Sequence, residues 1–152
     1  MNSHFLNKRV AYTLGFAGLA PFAMLSLACW MVRPDWLLSC IQWQLAYGVA
    51  ILSFLGGIHW GAALMSSTLT EQQSKNALVW SVVPALIAWS STMVGRASFA
   101  VLIVGFIAAY QVDKRLFAWY GLPEWFIRLR FMLTCVVVAA LALTVFAATM
   151  RL

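Results

Sequence analysis

Long apolar stretches constrain this chain more than any other feature, since a helix that crosses a bilayer needs about 20 mostly apolar residues. Five stretches meet or nearly meet that length, over approximately residues 10–32, 45–64, 77–94, 98–112 and 131–150. Hydrophobic residues make up 64% of the chain and charged residues 9%, whereas soluble domains average about 45–50% and about 25%. The sequence therefore predicts an all-α integral membrane bundle of five transmembrane helices, folded as a single domain over residues 1–152.

The basic residues indicate how the bundle is oriented. They lie at the ends of the spans and form no single stripe, which favours the positive-inside rule over nucleic-acid binding. The two predicted sides of the membrane carry unequal numbers of basic residues. The side with fewer has Arg33, Arg96 and Arg151. The side with more has Lys8, Arg9, Lys75, Lys114, Arg115, Arg128 and Arg130. The N-terminus also lacks the character of a mitochondrial transit peptide. We expect a bacterial inner-membrane protein with a cytoplasmic N-terminus, a periplasmic C-terminus, the lipid bilayer as partner and no nucleic acid.

The segment "WYGLPEWFIRLRF" (119–131) precedes the fifth span. Gly121 is suited to closing one helix and Pro123 to opening the next. Trp125, Arg128 and Arg130 mix an aromatic ring with cations, as residues at a lipid interface do. The pattern predicts a short interfacial helix before the fifth span, with its arginines at the headgroups.

Asp113 is the acidic residue beside the inner end of the fourth span. An ionisable residue in or next to a span calls for a partner. We expect an interfacial ion pair with Lys114 or Arg115, or with Arg128 or Arg130 across the bend before the fifth span. A proton-carrying role is the less favoured alternative.

The second span contains "FLGGIHWGAAL" (54–64), with three glycines in an apolar run. Ser53, Gly57 and Gly61 are spaced four residues apart and therefore share one helix face. Small residues in that spacing let two membrane helices approach closely. The spacing predicts a packing ridge, used either within the chain or against a partner.

His59 lies nearly opposite that ridge, where exposure to lipid would be unfavourable. Functional interpretations are an axial haem ligand, a hydrogen-bond donor to a quinone and a proton-relay group. The favoured alternative is an imidazole that donates a hydrogen bond inside the bundle, to protein or to ligand. Pro84 is expected to kink the third span, and a candidate pocket near that kink would be lined by His59, Trp60, Trp80 and Trp89.

Four segments together resemble the transmembrane protein 69-like family, domain of unknown function 3429: "LGFAGLAPF" (14–22), "QLAYGVAILSFLGGIHWGAAL" (44–64), "VPALIAW" (83–89) and "GLPEWFIRLRFMLT" (121–134). The resemblance implies a multi-pass protein of bacterial inner membranes, or of mitochondria in eukaryotes, and implies no reaction. Many members of the family have arginine in place of His59, which disfavours metal binding there. It favours a shared hydrogen-bond donor or cation.

Two functional hypotheses follow. The chain shows no paired acid, base or nucleophile, which favours a protein that is not an enzyme over a membrane enzyme acting on lipid. The first hypothesis is an accessory or assembly factor of a membrane complex, such as a respiratory one. The alternative is a binder or carrier of a hydrophobic small molecule, whether quinone, tetrapyrrole or lipid, in the pocket near His59; the cofactor is left unknown.

Overall fold

The computed structural model describes residues 3–151, and side chains from residue 8 onward. It contains five long helices: α1 (Ser3–Met31), α2 (Pro34–Met65), α3 (Glu71–Ser91), α4 (Ser98–Trp119) and α5 (Glu124–Arg151). A 3-10 turn, Gly95–Ala97, joins α3 to α4, and Gly95 there adopts a φ of +56°, which only glycine tolerates easily. No strand occurs among the described residues. The predicted all-α membrane bundle is confirmed.

Four helical segments are long and apolar enough to cross a bilayer: Lys8–Met31, Pro34–Met65, Gly95–Trp119 and Glu124–Arg151. Helix α3 is less apolar because Lys75, Asn76 and several serines lie along it. Its 21 residues nevertheless extend about 30 Å, close to the thickness of the hydrocarbon core. It packs against both α2 and α4 and is the fifth helix of the bundle.

Several helices extend beyond the predicted spans: α2 begins at Pro34 instead of near residue 45, and α3 begins at Glu71 instead of near residue 77. Two further differences concern α4 and α5. Helix α4 continues past residue 112 to Trp119 and ends before Gly121, whose φ of +65° stops the helix. Asp113 therefore lies inside α4. The segment expected to form a separate interfacial helix instead makes the first turns of α5, because no glycine or proline interrupts the chain after Pro123.

Contacts at the two ends of the bundle show that α1 and α5 run parallel. At one end Tyr12 donates a hydrogen bond to the Trp125 carbonyl over 3.5 Å. At the other end the Arg151 guanidinium donates to the carbonyls of Cys29 and Val32, which are among the carbonyls that the end of α1 leaves unpaired. The two ends of the described chain therefore lie at opposite ends of the bundle.

Aromatic and aliphatic side chains from all five helices form the main core, with α3 contributing the buried Ala88. Phe22 of α1 packs edge-on against Phe106 of α4, with ring centroids 6.2 Å apart. Leu52 of α2 approaches Gly105 of α4 so closely that a Cβ atom there would lie 2.7 Å from its Cδ2 atom. Tyr47 donates a 2.8 Å hydrogen bond to the Gly18 carbonyl and thereby ties α2 to α1. These contacts fix the helices that surround the site described below.

Three buried polar side chains join α1, α2 and α5 in the other half of the bundle. Ser26 donates to the Ala140 carbonyl over 2.7 Å, and the Gln44 amide donates to the Ser26 hydroxyl over 2.9 Å. The Thr144 hydroxyl donates to the Gln44 carbonyl oxygen. Hydrogen bonds between membrane helices contribute about 0.6–2 kcal/mol each, so this cluster fixes the lateral order of three helices.

Replacing Thr144 with valine is expected to lower the free energy of unfolding by about 1–2 kcal/mol, because the Gln44 amide oxygen loses its buried donor. Thermal unfolding of the purified protein in detergent measures the loss. Thr149→Val is the matched control, since the Thr149 side chain is exposed and bonds only to its own helix. Equal unfolding temperatures for the two variants would contradict the prediction.

Candidate functional site

Three helices each bring one ionisable side chain to a single buried point. His59 of α2 lies with its Nε2 atom 2.7 Å from Asp113 Oδ1 of α4. The other carboxylate oxygen of Asp113 accepts hydrogen bonds from Arg130 of α5, from Nε at 2.9 Å and from Nη2. The exposed fractions are 1% for His59, 2% for Asp113 and 5% for Arg130. We call these residues the His59–Asp113–Arg130 cluster.

Aromatic groups close the cluster on the side of His59. The Tyr120 hydroxyl lies 3.3 Å from His59 Nδ1, and the imidazole stacks on the Phe117 ring, with centroids 5.3 Å apart. Tyr120 follows the end of α4; burial, together with the nearby Asp113 charge, raises the pKa of its phenol. The phenol therefore keeps its proton at physiological pH and remains a hydrogen-bond donor.

Both ring nitrogens of His59 already make hydrogen bonds, which limits what the cluster can bind. A histidine ligates haem iron or zinc through an unprotonated ring nitrogen, whereas here both nitrogens have protein partners. Within the described residues no third His, Cys, Asp or Glu joins His59 and Asp113 to complete a metal-binding group. The cluster is thus built to hold Arg130 in a fixed position between α4 and α5.

One guanidinium nitrogen of Arg130 remains available. Nε and Nη2 bind Asp113, while Nη1 has no hydrogen-bond partner among the described residues. Arginine side chains carry five N–H donors and no acceptor. The free N–H groups can therefore donate to a molecule that reaches Arg130 from its other side.

An apolar cleft that Arg130 helps to line lies between α1, α2 and α5. It comprises two adjoining cavities of ≈ 150 Å³ and ≈ 380 Å³. Six residues line both of them: Leu14, Gly15, Phe54, Leu55, Arg130 and Leu133. Gly15 and Gly18 form part of the α1 wall, and Leu14 and Phe54 at the rim are 67% and 65% exposed. The cleft is therefore open laterally, towards the lipid.

Thr134 places a second polar group in this cleft, one helical turn beyond Arg130. The residue lines the smaller cavity and is 6% exposed. Its hydroxyl oxygen is buried without a hydrogen-bond partner among the described residues. Buried hydroxyls are normally paired, and an unpaired one beside a cavity marks a position where a ligand atom can bond.

The residues expected to line a pocket near His59 are not brought together around either cavity. Trp60 and Trp89 are each about half exposed on the outside of the bundle. The Trp80 indole nitrogen is buried without a partner among the described residues, and Pro84 packs near Gly56 at the contact between α2 and α3. His59 reaches the cleft only indirectly, through Asp113 and Arg130.

The predicted small-residue ridge faces outward. A Cβ atom built on Gly57 or Gly61 meets nothing within 4 Å, and the Ser53 hydroxyl bonds to its own helix at the Val49 carbonyl over 2.8 Å. The close approach occurs instead at Gly56, where a Cβ atom would lie 2.2 Å from the Ser81 carbonyl oxygen. The ridge was expected to pack either within the chain or against a partner. Among the described residues, Gly57 and Gly61 make no close contact within the chain.

The segment at the start of α5 divides between surface and interior. Trp125 packs against the Tyr12 ring, with centroids 6.0 Å apart. Arg128 is exposed and forms an ion pair with Glu124, one helical turn earlier, with its Nη2 atom 3.8 Å from Glu124 Oε2. Arg130, which was expected at the headgroups, points inward because Asp113 lies inside α4 and accepts its hydrogen bonds.

Sequence reasoning missed the α1–α2–α5 cleft and Thr134. The signal that was available is the spacing of Arg130 and Thr134, which are four residues apart and so share one face of α5. Two polar groups on an otherwise apolar face indicate a buried polar site. Nothing in the spacing indicated that α1 and α2 would leave that face partly uncovered.

Five packed helices around a buried His–Asp–Arg cluster define a polytopic membrane protein. The chain belongs to the family described as Protein of unknown function (DUF3429), whose model matches residues 7–146. This confirms the resemblance drawn from the sequence.

Two curated relatives carry the name Transmembrane protein 69. The one from Xenopus tropicalis is 38% identical over 134 residues, which cover 86% of this chain and 51% of that protein. The one from Mus musculus is 30% identical over 137 residues, covering 88% and 54% respectively. This chain thus spans about half the length of these relatives. No solved structure matches the chain.

Proposed function

We propose that this protein binds an amphipathic small molecule, a quinone or a lipid, in the cleft between α1, α2 and α5. The observation that carries the proposal is an apolar cleft that opens to the bilayer and is lined by the Arg130 side chain and by Thr134, whose buried hydroxyl has no hydrogen-bond partner among the described residues. Ligand sites in proteins have this composition, mostly apolar walls with a few polar groups that fix orientation.

The size and shape of the cleft favour an elongated ligand. The larger cavity, ≈ 380 Å³, lies within the roughly 300–1,000 Å³ of small-molecule sites. Along α1 the lining runs from Ala11 to Phe22, a distance of about 17 Å at 1.5 Å per residue. A linear hydrocarbon or isoprenoid tail matches that path better than a broad tetrapyrrole does.

The His59–Asp113–Arg130 cluster supports this site from behind. A buried arginine with several free rotamers would make a poor hydrogen-bond donor, because ordering its side chain on binding costs conformational entropy. Asp113 already holds the guanidinium, and His59 holds Asp113. In this proposal His59 is a positioning residue, and Trp60, Trp80 and Trp89 lie outside the site.

The experiment that tests the proposal compares small molecules that copurify with the gently solubilised protein and with Leu14→Trp. The indole at position 14 would fill the mouth of the cleft, so we expect the bound molecule to fall at least about tenfold by mass spectrometry. Leu27→Trp is the matched control, since Leu27 is an exposed leucine of α1 that lines neither cavity. Equal retention by all three proteins, or no stoichiometric molecule on the native protein, would refute the proposal.

A second candidate function is an accessory or assembly factor of a membrane complex, such as a respiratory one. The outward-facing Gly57 and Gly61 favour it, because small residues on an open helix face allow a partner helix to approach closely. Gly57→Leu would then remove a copurifying membrane protein from the native preparation and leave the unfolding temperature unchanged. A native preparation without any such partner would count against this candidate.

We also propose a bacterial inner-membrane location with a cytoplasmic N-terminus and a periplasmic C-terminus. The excess of basic residues at the end of the bundle that holds the start of α1 and α5 supports this orientation. The first and last described residues lie at opposite ends of the bundle, which is compatible with this orientation. Reporter fusions at each terminus, one active only in the cytoplasm and one only in the periplasm, test the assignment.

A further inference from the structure

We infer that the head of the molecule in the α1–α2–α5 cleft is a neutral hydrogen-bond acceptor, a carbonyl oxygen bound by Arg130 and Thr134. The inference rests on the proposed function, since it assigns the chemistry of the ligand in that same cleft. Two carbonyl sources are compatible with it, an isoprenoid quinone and the ester of a glycerolipid.

The polar groups at the closed side of the cleft are hydrogen-bond donors. The free nitrogen of Arg130 can only donate, and the Thr134 hydroxyl carries a proton that no described protein atom accepts. The two residues lie one turn apart on one face of α5, and both line the smaller cavity. One oxygen atom with two lone pairs, such as a carbonyl oxygen, can accept from both.

Charge decides between a neutral and an anionic head. Three groups face Arg130 or its counter-ion: Asp113 from α4, His59 from α2 and Tyr120 from the turn after α4. The α1 residues that line the cleft carry no charge. Asp113 already compensates Arg130, so a ligand carboxylate or phosphate would bring a second negative charge into a low-dielectric site.

An anionic head would therefore leave a negative charge without a counter-charge in the cluster, because Asp113 already pairs with Arg130. A neutral carbonyl brings no such charge and leaves the cluster as the structure shows it. The apolar walls beyond Arg130, from Leu133 of α5 to Phe54 of α2, would contact the tail of the same molecule. The head assignment thus follows from the charges already paired behind the cleft.

The test measures retention of three probes by the purified full-length chain after size exclusion in detergent: decylubiquinone, dioleoylglycerol and oleate. We expect one of the two neutral probes to be retained equally at pH 6 and pH 8, and oleate about tenfold less. Thr134→Val should weaken retention of that neutral probe by about two- to tenfold, the effect of one hydrogen bond. The neutral probe that is retained distinguishes a quinone from a glyceride.

Thr134→Val suits this purpose because the hydroxyl has no partner to lose among the residues that the structure describes. Its unfolding temperature should equal or exceed that of the native protein, since removing an unpaired buried polar group is favourable. Thr149→Val, on the exposed part of α5, is the control for retention and should match the native chain.

The outcomes separate the two levels of the proposal. Retention of oleate above both neutral probes at pH 8, where the probe is in its ionised form, would overturn the neutral head and keep the cleft as a binding site. Equal retention of a neutral probe by Thr134→Val and the native chain would overturn the assignment of the head to Thr134 and Arg130. Failure to retain any probe, together with no copurifying molecule, would overturn the proposed function itself.

Discussion

Asp113→Asn is expected to lower the free energy of unfolding by about 3–5 kcal/mol, the largest effect of any single substitution we propose, because it leaves Arg130 buried without a counter-charge. Both residues are almost fully inaccessible, and Nε and Nη2 of Arg130 donate to the same carboxylate oxygen. The carboxylate also pairs with His59. Its loss therefore unpairs two side chains at once. Thermal unfolding in detergent and expression in membranes measure the effect.

Two further variants make this result interpretable. Asp35→Asn removes an ion pair with Arg33 whose side chains are 71% and 82% exposed, and we expect a change below about 1 kcal/mol. The double substitution Asp113→Asn with Arg130→Met removes both buried charges and should recover part of the stability lost in Asp113→Asn alone. If Asp113→Asn behaved like Asp35→Asn, the buried cluster would have no structural role.

Much of the fold could be predicted because each helix needs its own apolar stretch. The tight turn at Gly95 and the break at Gly121 also have local signals, since both glycines adopt positive φ. The end of α4 was harder to place. Lys114 and Arg115 lower the hydropathy of the last turns without interrupting the helix, so composition indicated an end that the backbone does not have.

The cluster was predictable only in part. Asp113 and Arg130 are 17 residues apart on consecutive helices, and a pairing of these two residues was one of the alternatives that the sequence allowed. His59 is 54 residues from Asp113 and reaches it only because α2 lies beside α4. Helix order in a bundle is set by contacts among all five helices, and no local pattern encodes it.

The cleft could not be predicted for a related physical reason. It is a volume between α1, α2 and α5, and helix periodicity says which residues share a face but not whether a neighbour covers it. Gly15 and Gly18 look like ordinary small residues in the sequence. In the structure both line the smaller cavity, and Leu133 packs so close to Gly15 that a Cβ atom there would lie 3.2 Å from its Cδ1 atom.

The glycines of α2 illustrate the same limit at a single helix. Ser53, Gly57 and Gly61 are spaced four residues apart and do share one face of α2. That face points away from the other helices, and both of its glycines are exposed. Gly56, one position away, carries the close contact with α3. One residue corresponds to a rotation of about 100° around the helix, which separates the interior from the lipid side.

Gly56→Ala is expected to lower the free energy of unfolding by about 1–3 kcal/mol, as overpacking of a close contact does. The added Cβ atom would lie 2.2 Å from the Ser81 carbonyl oxygen, and a backbone atom cannot rotate aside as a side chain does. Helix α3 must therefore move away from α2, which opens the contact at Pro84 as well. Thermal unfolding in detergent measures the loss.

Gly57→Ala is the matched control, because the same methyl group placed one residue further meets nothing within 4 Å. Alanine also favours a helix over glycine by about 0.5–1 kcal/mol, so this variant should be as stable as the native protein or more stable. The predicted difference between the two variants is therefore about 1.5–4 kcal/mol, the sum of the two effects. Equal stability of Gly56→Ala and Gly57→Ala would mean that α2 and α3 do not meet at Ser81, whereas destabilisation by Gly57→Ala alone would place the contacting face about 100° further around α2.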